Sequence, residues 1–370
     1  MYLFLYTIYR IISCLKYHKS FFKEENPYLC FKYYFDDKES DRKSIWRVLR
    51  EVNHLCKYWH HFPDTYFYFC HYQKEYNDMN QLKSFLPQGS YEFFCKEGLD
   101  NSSYRIVVTD KILFHELMQQ YGLPVPQMVF LYKNNHFFAN GRIAKDEEID
   151  QIINDCKDER IFMKLPCSGQ AKGVFIAKRE NGSYYVNDNK LDSAYIKQRF
   201  GNQSVFFEYQ LTQEQVMKSF NPDTINTIRV LTLNYNGQVD IVSAAARFGR
   251  VGYYVDNMHA GGLGVSINID TGCLEEYGGR RFDPKKYYSH PDSGLQFKGV
   301  KVPQWDEIKS LVYKTLVFLP QYRSLGFDIA TTPQGPVILE INTGAGMDLA
   351  QVGKKYGIAD KFDMSLTRRY

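Results

Sequence analysis

A chain of 370 residues is too long for a single core, so two or three lobes are expected. With 44% hydrophobic and 24% charged residues it is not a disordered chain, and it has ample apolar material to bury. The net charge of +4, from 46 basic against 42 acidic residues, is too weak for a nucleic-acid partner, although a local basic cluster suffices for an anionic small molecule.

The eight cysteines form no CxxC pair and no regular framework, which points to reduced thiols in a cytoplasmic protein. Tyr2 to Leu15 is apolar but contains Arg10 and falls short of a spanning helix. A buried or partner-facing helix is expected there. The other reading is a helix on the membrane surface, which would allow peripheral association at the inner face.

Residues 1–103 read as a mainly helical N-terminal region, with a charged run from Lys38 to Lys43 and a turn-rich stretch from Pro87 to Ser90. The β-branched run Arg105 to Val108 predicts a strand. Thr109-Asp110 offers an N-cap for an amphipathic helix over Lys111 to Tyr121, which Gly122, Pro124 and Pro126 end. Then come strands at Met128 to Tyr132, Arg160 to Leu165, Val174 to Lys178 and Ser204 to Leu211, with a helix near Asp146 to Cys156. Thr227 to Asn234, Gln238 to Phe248 and Gly264 to Ile269 are strand-like, and Trp305 to Phe318 is helical. The order is mixed α+β with many antiparallel neighbours, divided into lobes at 104–205 and 206–370.

Near the C-terminus, Gly326 to Ala330 and Val337 to Asn342 flank Pro333-Gln334-Gly335. Read as a three-residue hairpin loop, this closes on Thr332 and Pro336 and sets Asp328 opposite Glu340, with Asn342 on the same face. Facing carboxylates repel unless a cation compensates, and a hard divalent ion with oxygen ligands does so. A solvent-facing sheet with scattered acids is the plainer alternative.

Lys164 sits in an otherwise apolar strand, where a lysine usually has an anionic partner. The small-residue loop from Ser168 and Gly169 through Lys172 to Gly173 could cradle phosphate with backbone N–H groups, or be a plain turn. Arg229 and Arg247 lie in apolar or small-residue strands; each alone fits a structural salt bridge, but with Lys111, Lys164 and the acidic hairpin they suit a polyphosphate and its metal. The Gly-rich loop Asp256 to Gly262 carries Asn257 and His259, which could contact a phosphate or a substrate carboxylate, or it could be a plain turn.

Taken in order, Thr109-Asp110-Lys111, Phe162-Met163-Lys164, Phe207-Glu208-Tyr209, Thr227-Ile228-Arg229-Val230, Ala246-Arg247, Asn257 to Gly262, Phe327-Asp328 and Glu340-Ile341-Asn342 resemble an ATP-grasp domain over about residues 105 to 350. His71-Tyr72-Gln73-Lys74, Asp78-Met79-Asn80, Phe85 to Gln88 and His290 to Gly294 resemble its sugar-transfer-associated branch, which is related to the ligases of teichuronopeptide synthesis. The resemblance implies an α+β ATP-grasp fold, two α+β lobes clasping ATP, behind the helical N-terminal region. It implies a ligase that uses ATP and Mg²⁺ to join an amine to a carboxylate through an acylphosphate. In this branch the substrates would be an amino acid and a uronic-acid-containing glycan or sugar nucleotide, in polysaccharide biosynthesis.

By the same resemblance Lys111 and Lys164 would hold the α- and β-phosphates, and the Ser168 to Gly173 loop would close over the triphosphate. Glu208, Tyr209 and Gln210 would meet adenine, with Gln213 or Gln215 at the ribose. Asp328, Glu340 and Asn342 would carry Mg²⁺. Arg229 and Arg247 would stabilise the transferred phosphoryl group, and Asn257 and His259 would orient the acceptor. Many ATP-grasp ligases have Arg two residues before the first metal Asp, whereas here that position is Gly326, so Arg229 or Arg247 must supply the charge. The rival readings are a kinase on the same fold, a non-enzymatic nucleotide-binding module and a membrane-associated assembly protein.

Overall fold

The computed structural model describes residues 27–97, 104–167, 173–235, 237–252, 256, 258 and 261–363. These fall into two compact units. Unit 1 draws on Met1–Tyr104, Gln215–Ile329 and Asn342–Tyr370; unit 2 is Arg105–Glu214 with Ala330–Ile341. The helix expected at Tyr2 to Leu15, buried or on a membrane surface, lies outside the described residues. Among the described residues no helix is long and apolar enough to cross a membrane.

Unit 1 begins with α1 (Pro27–Asp36), α2 (Ile45–Trp59), α3 (Asp64–Tyr68), α4 (Met79–Ser84) and α5 (Gln88–Glu97). In α2 the Ser44 hydroxyl accepts the Arg47 N–H as an N-cap, and His60, in the left-handed region, ends the helix. Val48, Val52, Leu55, Cys56 and Trp59 recur at helical spacing and are buried. At about 1.5–3 kcal/mol for each large apolar side chain, this stripe outweighs any single cap in holding α2 down. The core it enters also contains Leu231, Leu233 and Val242 from the unit's sheet, so the helical region is built onto that sheet. Pro87 to Ser90 is not a turn. Gln88 opens α5, and the buried Asp64 carboxylate accepts its N–H at 3.1 Å, a cap supplied from far along the chain.

Unit 2 contains α6 (Arg105–Thr109), α7 (Lys111–Gln120), β1 (Met128–Lys133), β2 (His136–Ala139), β3 (Arg142–Ala144), α8 (Asp146–Asp155), β4 (Arg160–Lys164), β5 (Val174–Glu180), β6 (Ser183–Val186), β7 (Asn189–Lys190), α9 (Ser193–Phe200) and β8 (Val205–Tyr209). Its sheet runs β3-β2-β1-β8-β4-β5-β6-β7. The run at Arg105 is helical, not extended. Strand propensity reports fit to a pleated, half-buried surface; here Ile106 is exposed, and the Thr109 hydroxyl closes a helical turn on the Arg105 carbonyl at 2.9 Å.

The chain then gives α10 (Gln215–Phe220), β9 (Ile228–Tyr235), β10 (Gln238–Phe248), β11 (Leu263–Ile267), β12 (Leu274–Gly279), α11 (Trp305–Leu316), β13 (Gly326–Thr332), β14 (Gly335–Asn342) and α12 (Met347–Ala350). The second sheet runs β12-β11-β10-β9-β13-β14. Every residue of β13 is buried, as are the first six of β9. The boundary between the units passes through β13 and β14. The turn joining these strands leaves only Pro333 and Gln334 outside them, with the Thr332 hydroxyl donating to the Gly335 carbonyl at 2.8 Å. The expected loop of three residues is therefore one of two, and the counting that set Asp328 directly opposite Glu340 loses its premise.

Candidate active site

In unit 1 the charged residues follow from strand register. Arg229 on β9 lies between Asp328 on β13 and Ala245 on β10. Arg247 lies two residues beyond Ala245 and pairs with Gly264 on β11, which pairs with Gly279 on β12. Directly paired and i, i+2 residues share a face, so Asp328, Arg229 and Arg247 project from one side of the sheet.

They meet there. Arg229 grips Asp328 with two N–H groups, through Nε to Oδ1 and through Nη2 to Oδ2, the latter at 2.9 Å. Arg247 Nη2 reaches the same Oδ2 at 2.9 Å. On its other side Arg247 Nε donates to the Thr227 hydroxyl at 2.8 Å and lies 3.4 Å from Asp256. Asp256 accepts both the hydroxyl and the N–H of Thr227, the latter at 2.9 Å. Burial raises the Asp256 pKa, with Arg247 as the main opposing influence. Two guanidinium groups thus balance two carboxylates in a buried setting, where removing one partner is costly. The reading of Asp328 as an acid on a solvent-facing sheet is excluded, since it is 1% exposed.

The absent arginine at 326 has a physical counterpart. A Cβ on Gly326 would lie 2.7 Å from Ala345 Cβ and 3.4 Å from Arg229 Cδ. Ala345 occupies the space that a side chain at 326 would need, and the Arg229 side chain passes beside it, so the charge at Asp328 comes from the neighbouring strand.

Unit 2 gathers the lysines. The Asp110 carboxylate caps α7 by accepting the Ile112 and Leu113 N–H groups at 2.9 and 3.1 Å. Lys111 is the first residue of α7, and its N–H donates to the Pro166 carbonyl at 3.1 Å, tying the helix start to the end of β4. Lys164, the last residue of β4, donates to the Glu208 carboxylate. β4 and β8 pair Phe162 with Glu208, so Glu208 stands diagonally across from Lys164. This is the anionic partner that the apolar setting of Lys164 called for. Burial lowers the Lys111 pKa; Glu340 is the strongest opposing charge, and Lys164 adds to the lowering.

The segment after β8 is pinned by backbone bonds. Tyr209 N–H donates to the Gln127 carbonyl at 3.1 Å, and Gln210 N–H to Asp158 at 3.2 Å. The Gln210 Oε1 is buried with no donor, so it has capacity for an N–H of a ligand. Gln213 is buried just beyond it, while Gln215 already belongs to α10 of unit 1. Gly173, at φ 84°, accepts the Leu165 N–H at 3.0 Å and closes the base of the small-residue loop. Ser168, Gly169 and Lys172 of that loop, like Asn257 and His259, lie outside the described residues.

The structure therefore brings together Arg229, Arg247 and Asp328 in unit 1, and Lys111, Lys164 and Glu208 in unit 2, with Glu340 exerting its charge on Lys111. Glu340 belongs to unit 2 and Asn342 to unit 1. Their oxygens and those of Asp328 are the hard donors that Mg²⁺ takes. Asp328 has three of roughly four acceptor positions already filled by arginine N–H groups. Sequence reasoning missed Thr227 and Asp256. The available signals were position alone: Thr227 lies two residues before Arg229, and Asp256 opens the Gly-rich loop.

A profile of the sugar-transfer associated ATP-grasp family matches residues 94–364. None of the curated proteins matches. Among solved structures, the VanG D-Ala:D-Ser ligase from Enterococcus faecalis is 14% identical, with 70% of this chain and 59% of that chain covered and a TM-score of 0.41. The D-alanyl-alanine synthetase A from Vibrio cholerae is 14% identical, over 65% of this chain and 57% of that one, with a TM-score of 0.40. The N5-carboxyaminoimidazole ribonucleotide synthetase from Thermotoga maritima is 12% identical over 64% and 42%, with a TM-score of 0.35. The match thus spans about half the length of these structures.

Proposed function

We infer that this chain, which belongs to the sugar-transfer associated ATP-grasp family, is an ATP-dependent carboxylate–amine ligase that attaches an amino acid to a sugar carboxylate. The observation that carries the reading is the buried Arg229–Asp328–Arg247 cluster. Guanidinium groups fixed by a carboxylate are preorganised donors, and phosphoryl transfer needs positioned charge rather than a protein nucleophile.

On this reading unit 2 binds nucleotide. Lys111 and Lys164 contact the phosphates, with Glu208 holding Lys164 in place until they arrive. Gln210, whose buried Oε1 lacks a donor, takes an N–H of the adenine. Gln213 is the better placed candidate for the ribose, because Gln215 begins a helix of the other unit. Asp328, Glu340 and Asn342 would hold Mg²⁺, which supplies neutralisation of phosphate charge when bound. In unit 1 Arg229 and Arg247 stabilise the phosphoryl group as a substrate carboxylate oxygen attacks the γ-phosphorus. The bond to the β–γ bridging oxygen breaks and ADP leaves. Asn257 and His259 orient the acceptor carboxylate. An amine then attacks the acyl carbon, phosphate departs, and the amine loses a proton. Thr227 and Asp256 hold Arg247 in register throughout.

Incubating the protein with ATP, a panel of uronic acids and hydroxylamine tests this. ADP with a hydroxamate is the expected outcome. AMP and pyrophosphate would replace the acylphosphate by an adenylate, and a phosphorylated sugar formed without any amine would make the chain a kinase.

A further inference from the structure

We propose that unit 1 carries a phosphate site of its own, built on Arg280, Lys285 and Lys354 and distinct from the Arg229–Arg247 cluster. The site goes beyond the ligase reading and stands without it. Between Arg247 and the end of β12 the sheet face is filled. A Cβ on Gly264 would lie 2.9 Å from Leu349, 3.0 Å from Met258 and 3.1 Å from Val352, all of them buried, and these side chains separate Arg247 from Gly279 along the row.

Just beyond β12 lies a half-enclosed cavity made entirely by residues of unit 1. Gly353, at φ 65°, lets the chain lie against the Tyr277 backbone, where a Cβ would meet the Tyr277 carbonyl oxygen at 2.8 Å, and so brings Lys354 to the cavity. Arg280, Lys285, Lys286 and Lys354 line it against one carboxylate, Asp283. Asp283 accepts the Tyr287 hydroxyl at 2.7 Å and the Lys285 N–H at 2.9 Å, and Lys286 pairs with Glu75 at 3.2 Å. Arg280 Nε and Nη2 are buried with no acceptor among the described residues. The Arg280 guanidinium and the Lys285 ammonium each lie 5.0 Å from the centre of the Tyr287 ring, so a single ring holds both cations. Burial lowers the Lys354 pKa, with the exposed Glu275 as the opposing charge. Setting Lys286 against Glu75, and Asp283 against one further cation, leaves two positive charges of the lining without a counterpart. A buried charged donor without an acceptor is costly, so an anion is the missing element.

Charge, size and hydrogen-bonding capacity name the ligand. Two uncompensated charges match the dianion of phosphate, which guanidinium and ammonium groups bind through charge-assisted hydrogen bonds. The cavity gives about 50 Å³ to the centres of water-sized groups, room for roughly four of them at about 10–15 Å³ each, and so for the oxygens of one phosphate. His71, 1% exposed, also lines it. Burial pushes the His71 pKa down to about 3, so the ring is neutral, and its Nδ1 is buried without a partner. A neutral imidazole nitrogen either accepts from a protonated oxygen or donates to a bare one. Hydrogen phosphate carries both kinds of oxygen, whereas an ionised carboxylate carries only the second. Bound there, phosphate joins His71 of the helical region to Arg280 and Lys354, and a ligand that binds only the folded state stabilises it.

Calorimetric titration of the whole chain with inorganic phosphate tests this, at constant ionic strength and with malonate and glucose 1-phosphate as comparison probes. Phosphate should bind more tightly than malonate, a dicarboxylate of the same charge. Arg280→Gln should weaken phosphate by about ten-fold or more, the loss expected of a charge-assisted contact, whereas Arg247→Ala should leave that binding in place. Lys354→Gln should weaken it too and serves as the second variant should Arg280→Gln fail to fold. Phosphate should also raise the midpoint of thermal unfolding in the native chain and not in either variant. Glucose 1-phosphate binding more tightly than inorganic phosphate, and weakened by the same variants, would uphold the site with a phosphate ester as its ligand; weaker binding would uphold it for free phosphate. No binding of either phosphate, equal affinity for malonate, or phosphate affinity that survives in a folded Arg280→Gln or Lys354→Gln overturns the site.

Discussion

The two charged groups of this molecule hold cations in different ways. In unit 1 Arg229 grips one buried carboxylate with a planar fork, and Arg247 reaches the same carboxylate with one N–H while Thr227 and Asp256 hold its other side. In unit 2 two lysines stand at element ends, Lys111 opening a helix and Lys164 closing a strand, with Glu208 as the partner of the second. An arginine fork is rigid, always charged and specific in direction; a lysine is a mobile point charge that burial can neutralise. The first arrangement suits a charge that develops at one place in a transition state, and the second a ground-state polyphosphate that arrives and leaves.

The sharpest way to break this contrast is Asp328→Ala. It leaves two buried guanidinium groups without their carboxylate, and a loss of about 3–5 kcal/mol in unfolding free energy is expected from denaturant titration. A loss under 1 kcal/mol would mean the cluster is solvated in solution. Arg247→Ala should lower turnover by about 10²–10³ while ATP affinity changes little, the signature of an interaction made in the transition state. A change confined to ATP affinity would move Arg247 into the binding group. Lys164→Ala should do the reverse, weakening ATP by about 1.5–3 kcal/mol in calorimetry; unchanged affinity would remove it from the nucleotide site.

The smallest effect concerns pH. Burial holds the Lys111 pKa below its ordinary value of 10.5. Between the lowered value and 10.5 the unfolded chain binds more protons than the folded one, so this group's contribution to stability rises with pH across that window. Bound phosphate favours the charged lysine, so ATP affinity should fall as pH climbs through the lowered value. Lys111→Arg, which stays charged, should flatten that fall, and superimposable profiles would exclude Lys111 from phosphate contact.

Most of the strands were legible because their apolar runs are long and bounded by turn residues, as with Gln238 to Phe248, whose limits are those of β10. Asp110 was legible as a cap because a short side-chain acceptor before a periodic run has few other uses. Arg105 to Val108 was not, since β-branched composition carries no information on whether a pairing strand exists. The hairpin count failed by one residue because Gly335 suits a loop and a strand end equally. For the site, the residue types were readable but their partnerships were not. Nothing in a linear reading joins Lys164 to Glu208 or Arg229 to Asp328, which lie 44 and 99 residues apart.

The most direct test of the central claim follows the oxygen. With a uronic acid labelled by ¹⁸O in its carboxylate, an amine acceptor and ATP, the attacking oxygen passes to the phosphoryl group and leaves with it. Phosphorus NMR should then show one ¹⁸O in the inorganic phosphate, at a yield matching the amide formed and reduced in parallel with turnover by Arg247→Ala. Label appearing in AMP, or phosphate free of label while product accumulates, would contradict the account.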